Sequence, residues 1–150
     1  MARIPIQIQA FIYRLRDNDE PLFLLLKRRP DIGGFWQGVT GALKPGENEE
    51  DAAAREILEE TCLPTKGVTR LKFTHSFPVD EEWKHLYDDS VTTIFEHAFA
   101  AETSEESVTI CKEHTEFLWV TFDQAIKMLR YPGNKGALTV LHELLSERQN

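Results

Sequence analysis

Gly41-Ala42-Leu43-Lys44-Pro45-Gly46-Glu47-Asn48-Glu49-Glu50-Asp51-Ala52-Ala53-Ala54-Arg55-Glu56-Ile57-Leu58-Glu59-Glu60-Thr61-Cys62-Leu63 decides the fold. Asn48 is suited to cap a helix, with Asp51 three residues on, and Glu49, Glu50 and Asp51 sit where the positive end of a helix dipole favours acids. The alanine run promotes helix and Pro64 follows its end, so the spacing predicts a helix over Asn48–Thr61. Within it, Glu56, Glu59 and Glu60 stand at i, i+3 and i+4 and crowd one face. Like charges so placed destabilise a helix by roughly 0.2–0.5 kcal/mol per pair. They also lie in the last turns, where the dipole disfavours acids. The first group of acids obeys local rules and the second breaks them, which is expected where function demands it. A Glu-rich helix can be a plain solvated face. A divalent cation held by the carboxylates is the reading that removes the conflict.

Outward from this helix, strands are expected at Ile4–Leu15 and Leu22–Leu26, joined by the turn Asp17-Asn18-Asp19-Glu20-Pro21. The stretch from Gly33 to Gly46 reads as a glycine-punctuated loop around Phe35-Trp36. Further strands are expected at Val68–Phe77, Val91–Ala100, Val108–Cys111 and Phe117–Val120. Thr121 and Gln124 form a capping box for a short helix to Arg130. Gly136–Glu147 carries Ala137, Val140, Leu141, Leu144 and Leu145 at helical spacing. Trp83, Tyr87 and the run Asp80–Asp89 read as a polar surface loop, and His75, His85, His97 and His142 as structural or surface residues without metal-ligand spacing. Strands mixed with two or three helices imply an α/β or α+β layered domain, and residues 1–150 read as one domain.

Composition narrows the function. Seventeen Lys and Arg against 25 Asp and Glu give a net charge of −8, which opposes a nucleic-acid binder that must neutralise phosphates. No apolar run is long enough for a membrane helix, and Met1–Tyr13 does not read as a signal peptide. Cys62 and Cys111 stand alone, which suits a reducing cytosol, so a cytoplasmic protein with neither nucleic acid nor membrane as partner is expected.

Gly41, Glu47, Arg55, Glu56, Ile57, Glu59, Glu60 and Leu63 match the signature of the Nudix hydrolases, G-x5-E-x7-R-E-U-x-E-E-x-G-U with U a bulky aliphatic. Every defined position but one is kept. The exception is Cys62, where the family has a glycine that ends the helix and where a side chain costs about 1 kcal/mol. The resemblance implies an α/β/α sandwich with a mixed β-sheet between helices. It also implies a metal-dependent pyrophosphohydrolase in which water attacks a phosphorus of a diphosphate linkage, with Mg²⁺ or Mn²⁺ as cofactor.

Carried over by position, Glu59 and Glu60 are core metal ligands and Glu56 a further ligand or the general base. The backbone at Gly41 supplies a carbonyl, and Arg55 and Glu47 orient the carboxylates. Glu113 occupies the place of a further acid, as ligand or base, with Glu116 second to it. The run from Lys27-Arg28-Arg29 to Phe35-Trp36-Gln37-Gly38-Val39-Thr40-Gly41 resembles the subgroup that removes pyrophosphate from dihydroneopterin triphosphate. Arg28 and Arg29 can then bind phosphate or form a solvated rim, and Trp36 can stack on a ring or anchor the core. Lys135, beside Asn134, falls at a substrate-contact position of that subgroup. The partner implied is a small-molecule polyphosphate, and the chain a monomer or homodimer. ADP-ribose, nucleotide sugars and dinucleoside polyphosphates are the alternative substrates, and a non-catalytic nucleotide-binding module is the alternative of another class.

Overall fold

Alternation along the first strand sends Ile8, Ala10 and Ile12 to one face and Phe11 and Tyr13 to the other, and all five are buried. The same split divides Leu24 and Leu26 from Phe23 and Leu25 on the second strand. Its continuous apolar run therefore reflects a sheet covered on both faces. The computed structural model describes residues 2–148. Its strands are β1 (Ile6–Arg16), β2 (Asp19–Arg28), β3 (Trp36–Gln37), β4 (Val39–Ala42), β5 (Val68–Pro78), β6 (Thr93–Glu102) and β7 (His114–Val120). The helices are α1 (Glu49–Thr61), α2 (Phe122–Met128) and α3 (Pro132–Arg148).

The sheet runs β3-β2-β1-β6-β5, with β4 also on β1 and β7 also on β2. β1 and β6 are parallel, from Ile6 opposite Phe95 to Tyr13 opposite Glu102, and the remaining pairs are antiparallel. α1 lies on one face over Ile8, Ala10, Ile12 and Phe99, while α2 and α3 cover Phe11, Phe23 and Leu25 on the other. The expected sandwich with a mixed sheet is the observed architecture. Among the described residues no helix is long and apolar enough to cross a membrane.

Local signals hold at the caps. The Asn48 side chain accepts from Asp51 N–H, and the Thr121–Gln124 capping box is complete. Cys62 adopts the left-handed conformation, φ 56° and ψ 19°, so the exit geometry of a glycine survives with a cysteine in its place.

Three expectations are corrected. Val108–Cys111 forms no strand, because its backbone serves the helix instead: Thr109 N–H donates to the Thr61 carbonyl at 3.1 Å, and Val108 and Ile110 lean on the core beneath α1. The glycine-punctuated stretch holds the short strands β3 and β4, paired to β2 and β1. The final helix begins at Pro132 rather than Gly136, since Gly133 and Gly136 let α3 approach His75 and Phe73 closely. The segment Asp80–Asp89 contains a 3₁₀ turn at Glu81–Leu86 and is anchored by buried Tyr87, with Trp83 exposed.

Candidate active site

The site begins where β4 meets α1. Gly41 stands opposite Ile8 in the β1–β4 ladder, and a Cβ on it would fall on the Glu56 carboxyl group. A side chain at position 41 would thus push α1 off the sheet or displace Glu56.

Arg55 organises the acids. Its Nε and Nη2 hold both oxygens of Glu47 at 2.7 and 2.8 Å, a bidentate pair. Nη2 also donates to the Ala42 carbonyl at 3.1 Å, and Nη1 to Glu56 at 2.6 Å and Glu59 at 3.3 Å. This fork holds the Glu47 carboxyl down at about 2, with the hydrogen bonds from Arg55 as the main cause. The same contacts raise the basicity of Arg55.

Glu60 is the opposite case. It shares the sheet-facing side of α1 with Ala53 and Ile57, is 3% exposed, and neither carboxyl oxygen accepts a hydrogen bond. Burial above all, then a hydrogen bond from its carboxyl to Glu56 and the negative charges of Glu56, Cys111 and Glu113, hold it protonated far above the usual carboxylate range. Beside it, buried His114 places Nε2 3.8 Å from Glu60 Oε1 and 3.4 Å from Gln37 Nε2, with Nδ1 3.5 Å from Cys111 Sγ. Burial, then the nearby charge of Arg28, lowers the His114 imidazole to about 4, so it is neutral at neutral pH.

Of the residues singled out from sequence, Gly41, Glu47, Arg55, Glu56, Glu59 and Glu60 form one connected group. Glu59 lies on its rim, half-exposed. Glu113 is exposed in the turn just before β7, near enough for its charge to act on Glu60. Its carbonyl accepts from Arg29 N–H at 2.9 Å, which ties the Arg28-Arg29 segment to the site. Arg29 pairs with Asp31, and Arg28 donates Nε to the Ile32 carbonyl. Trp36 is half-buried against the core beneath α3, with Lys27 Nζ 5.9 Å from its ring. Lys135 is half-buried in the first turn of α3, next to Asn134, whose side chain donates to Gln9. Glu116 pairs with Lys27 away from the acids.

Sequence reasoning missed Gln37, Cys111 and the close placement of His114. Their only signal was proximity to the glycine-rich stretch and to Glu113. It also missed the buried bridge of Glu96 to His75, at 2.7 Å, and to Gln7, which sits on the α3 side of the sheet.

Among the described residues no three His, Cys, Asp or Glu side chains converge as a metal-holding set. The hydrogen bonds give the reason, since Arg55 claims an oxygen from both Glu56 and Glu59. The donors nonetheless fit a hard cation. All are carboxylate oxygens, and the two on Glu60 are buried with no donor to accept from, a cost that a bound cation removes.

Residues 5–144 match the NUDIX domain family. The chain belongs to the NUDIX family. This NUDIX protein is a hydrolase acting on phosphorus-containing anhydrides, in a family that generally uses divalent metal ions. It is 29% identical over 134 residues to dihydroneopterin triphosphate diphosphatase of Haemophilus influenzae, covering 87% of this chain and 84% of that one. A solved Listeria monocytogenes chain described as a NUDIX hydrolase superposes with a TM-score of 0.84 at 27% identity, covering 97% of each chain. The Escherichia coli dihydroneopterin triphosphate pyrophosphohydrolase superposes with a TM-score of 0.72 at 28% identity, covering 91% of this chain and 94% of that one.

Proposed function

We propose that this NUDIX hydrolase is a Mg²⁺- or Mn²⁺-dependent pyrophosphohydrolase that cleaves a pterin or nucleoside triphosphate to the monophosphate and pyrophosphate. The observation that carries the reading is Glu60: a buried carboxyl group whose oxygens meet no donor, set against Glu56 and within reach of Glu113's charge. The likeness to dihydroneopterin triphosphate diphosphatase along most of both chains supports the substrate class.

Glu56, Glu59, Glu60 and Glu113, with the carbonyl of Gly41, would hold the cation. When bound, the cation supplies charge neutralisation and lowers the pKa of water. Arg55 and Glu47 keep the carboxylates in fixed orientations, so that little reorganisation accompanies reaction. A water oxygen forms the new bond to phosphorus, its proton passes to Glu56 or Glu113, and the phosphoanhydride bond breaks with pyrophosphate leaving. Arg28, Arg29 and Lys135 bind phosphate oxygens, and Trp36 meets the ring of the substrate.

Divalent-dependent pyrophosphate release tests this, read as phosphate with and without added inorganic pyrophosphatase. The substrates are dihydroneopterin triphosphate, the common nucleoside triphosphates, ADP-ribose and a diadenosine polyphosphate. Pyrophosphate from the triphosphates well above the rest is expected. Turnover of ADP-ribose or dinucleotides alone overturns the substrate class. No turnover, unchanged by Glu59→Gln, identifies a binding module.

A further inference from the structure

The joint between α2 and α3 carries a cation that the site described so far does not use. Arg130 follows Leu129, and a backbone bridge from Leu129 to Trp36 sets this joint against the turn after β2. Phe35 lies between. The guanidinium of Arg130 is 5.4 Å from its ring centroid and that of Arg28 is 5.8 Å away. Tyr131 meets the same ring edge-on, with centroids 5.0 Å apart. Cations over aromatic faces are held there by the ring quadrupole, which restrains both guanidinium groups without using their N–H donors.

Those donors are what is unusual. Among the described residues neither Arg28 nor Arg130 has a carboxylate within ion-pair range, whereas neighbouring Lys27 and Arg29 pair with Glu116 and Asp31. Arg28 uses only Nε, on the Ile32 carbonyl at 3.0 Å. A chain of net charge −8 thus gathers two cations on one ring without neutralising either. Their place is also specific. Arg28 stands opposite His114 in the β2–β7 ladder, and His114 touches the surroundings of Glu60. Arg28 therefore adjoins the surroundings of Glu60, and the shared Phe35 ring links it to Arg130.

We propose that Arg28 and Arg130 form a receptor for the distal end of a polyphosphate chain, and so make this protein favour chains of three or more phosphates over diphosphates. This deepens the hydrolytic reading above and rests on it for the position of the reacting phosphorus. With that phosphorus at the carboxylates, the chain extends past Arg28 toward Arg130. On this assignment a diphosphate, one phosphate shorter, engages Arg28 alone. Planar guanidinium forks match phosphate oxygens bidentately, so lysine at position 130 restores charge but only part of the recognition.

The experiment is calorimetric titration of inorganic tripolyphosphate and inorganic pyrophosphate at fixed free Mg²⁺, into the wild type, Arg130→Gln and Arg130→Lys. Arg130 is exposed, so matching thermal melts are expected to show that the variants fold. The wild type is expected to bind tripolyphosphate about tenfold or more tighter than pyrophosphate, a margin one charge-assisted phosphate contact supplies. Arg130→Gln loses that margin while pyrophosphate binding stays within about threefold, and Arg130→Lys falls between. A wild type without the preference, or a preference that survives in Arg130→Gln, overturns the proposal. Because the probe carries no base and needs no turnover, the result stands apart from the pyrophosphate-release assay. A protein inactive on every triphosphate sinks the hydrolytic reading alone.

Discussion

Arg55 grips Glu47 through two parallel hydrogen bonds of 2.7 and 2.8 Å, and with the nitrogens of that same fork it reaches Glu56, Glu59 and the Ala42 carbonyl. One planar group thereby fixes the end of the loop, the edge of β4 and two helical carboxylates. Arg55→Lys keeps the charge and loses the fork. Turnover is expected to fall about 10- to 100-fold, the range found when groups orienting metal ligands are removed. Steady-state kinetics at saturating Mg²⁺ check this, and turnover within twofold of wild type would refute it.

Glu60→Gln separates function from stability. It replaces a buried carboxyl group, which the folded state must keep protonated at pH 8 while the unfolded chain does not, by a neutral amide, so the variant should melt at a higher temperature than wild type in EDTA at pH 8. It should also lose the rise in melting temperature that Mg²⁺ gives the wild type, and turn over several hundredfold more slowly. Differential scanning fluorimetry with and without Mg²⁺ reads the first two effects. A clear drop in the EDTA melt would count against the assigned cost of burying Glu60.

The same residue sets a pH dependence with a definite sign. Its folded pKa is raised above the ordinary 4.5, so the stability it contributes is present below 4.5 and is lost as pH rises toward the folded value. His114 is lowered from 6.5 to about 4, so its contribution is present above 6.5 and is lost as pH falls toward 4. Between pH 6.5 and 9 Glu60 therefore acts without His114. Over that interval metal-free wild type should lose several degrees of melting temperature, and Glu60→Gln should stay flatter. Parallel curves for the two proteins would exclude Glu60 as the source.

Gly41→Ala places a methyl group against the Glu56 carboxyl. Forced overpacking of this kind costs about 1–3 kcal/mol. Loss of stability and at least tenfold loss of turnover are expected together, the first from denaturant midpoints and the second from initial rates. An active, fully stable Gly41→Ala protein would show that α1 has room to retreat.

Cys62→Gly tests the helix exit. A left-handed L-residue costs roughly 1–2 kcal/mol that glycine avoids. The variant should melt about 2–4 °C higher for each kcal/mol recovered, with activity kept. An inactive Cys62→Gly enzyme would assign the thiol a part in the chemistry.

What the sequence made legible is local. Asn48, the alanines and the spaced acids dictate α1 because each acts within a turn or two of its own position. The different fates of the acids were not legible. Glu56, Glu59 and Glu60 share a helical face, but only the docking of Ala53 and Ile57 on the sheet decides that Glu60 goes under and Glu59 stays on the rim. β3 and β4 escaped notice because they are short and glycine-bounded, and they exist through pairing with β2 and β1. Val108–Cys111 has the composition of a strand, yet its Thr109 N–H meets the end of α1, a choice no alternation pattern encodes. The Phe35–Arg130 contact joins residues far apart in the chain and needed the Leu129–Trp36 bridge to become visible.

The parallel seam between β1 and β6 also bears on how the chain reaches this state. β1 is central in the sheet, yet one of its edges is satisfied only when Ile6–Tyr13 meets Phe95–Glu102 from much later in the chain. Loop-closure entropy must be met before that pairing returns any energy, so the seam belongs to the slow part of folding. Until it closes, the β1–β2 hairpin carries an unsheathed apolar edge, and that interval is when this protein is most open to aggregation.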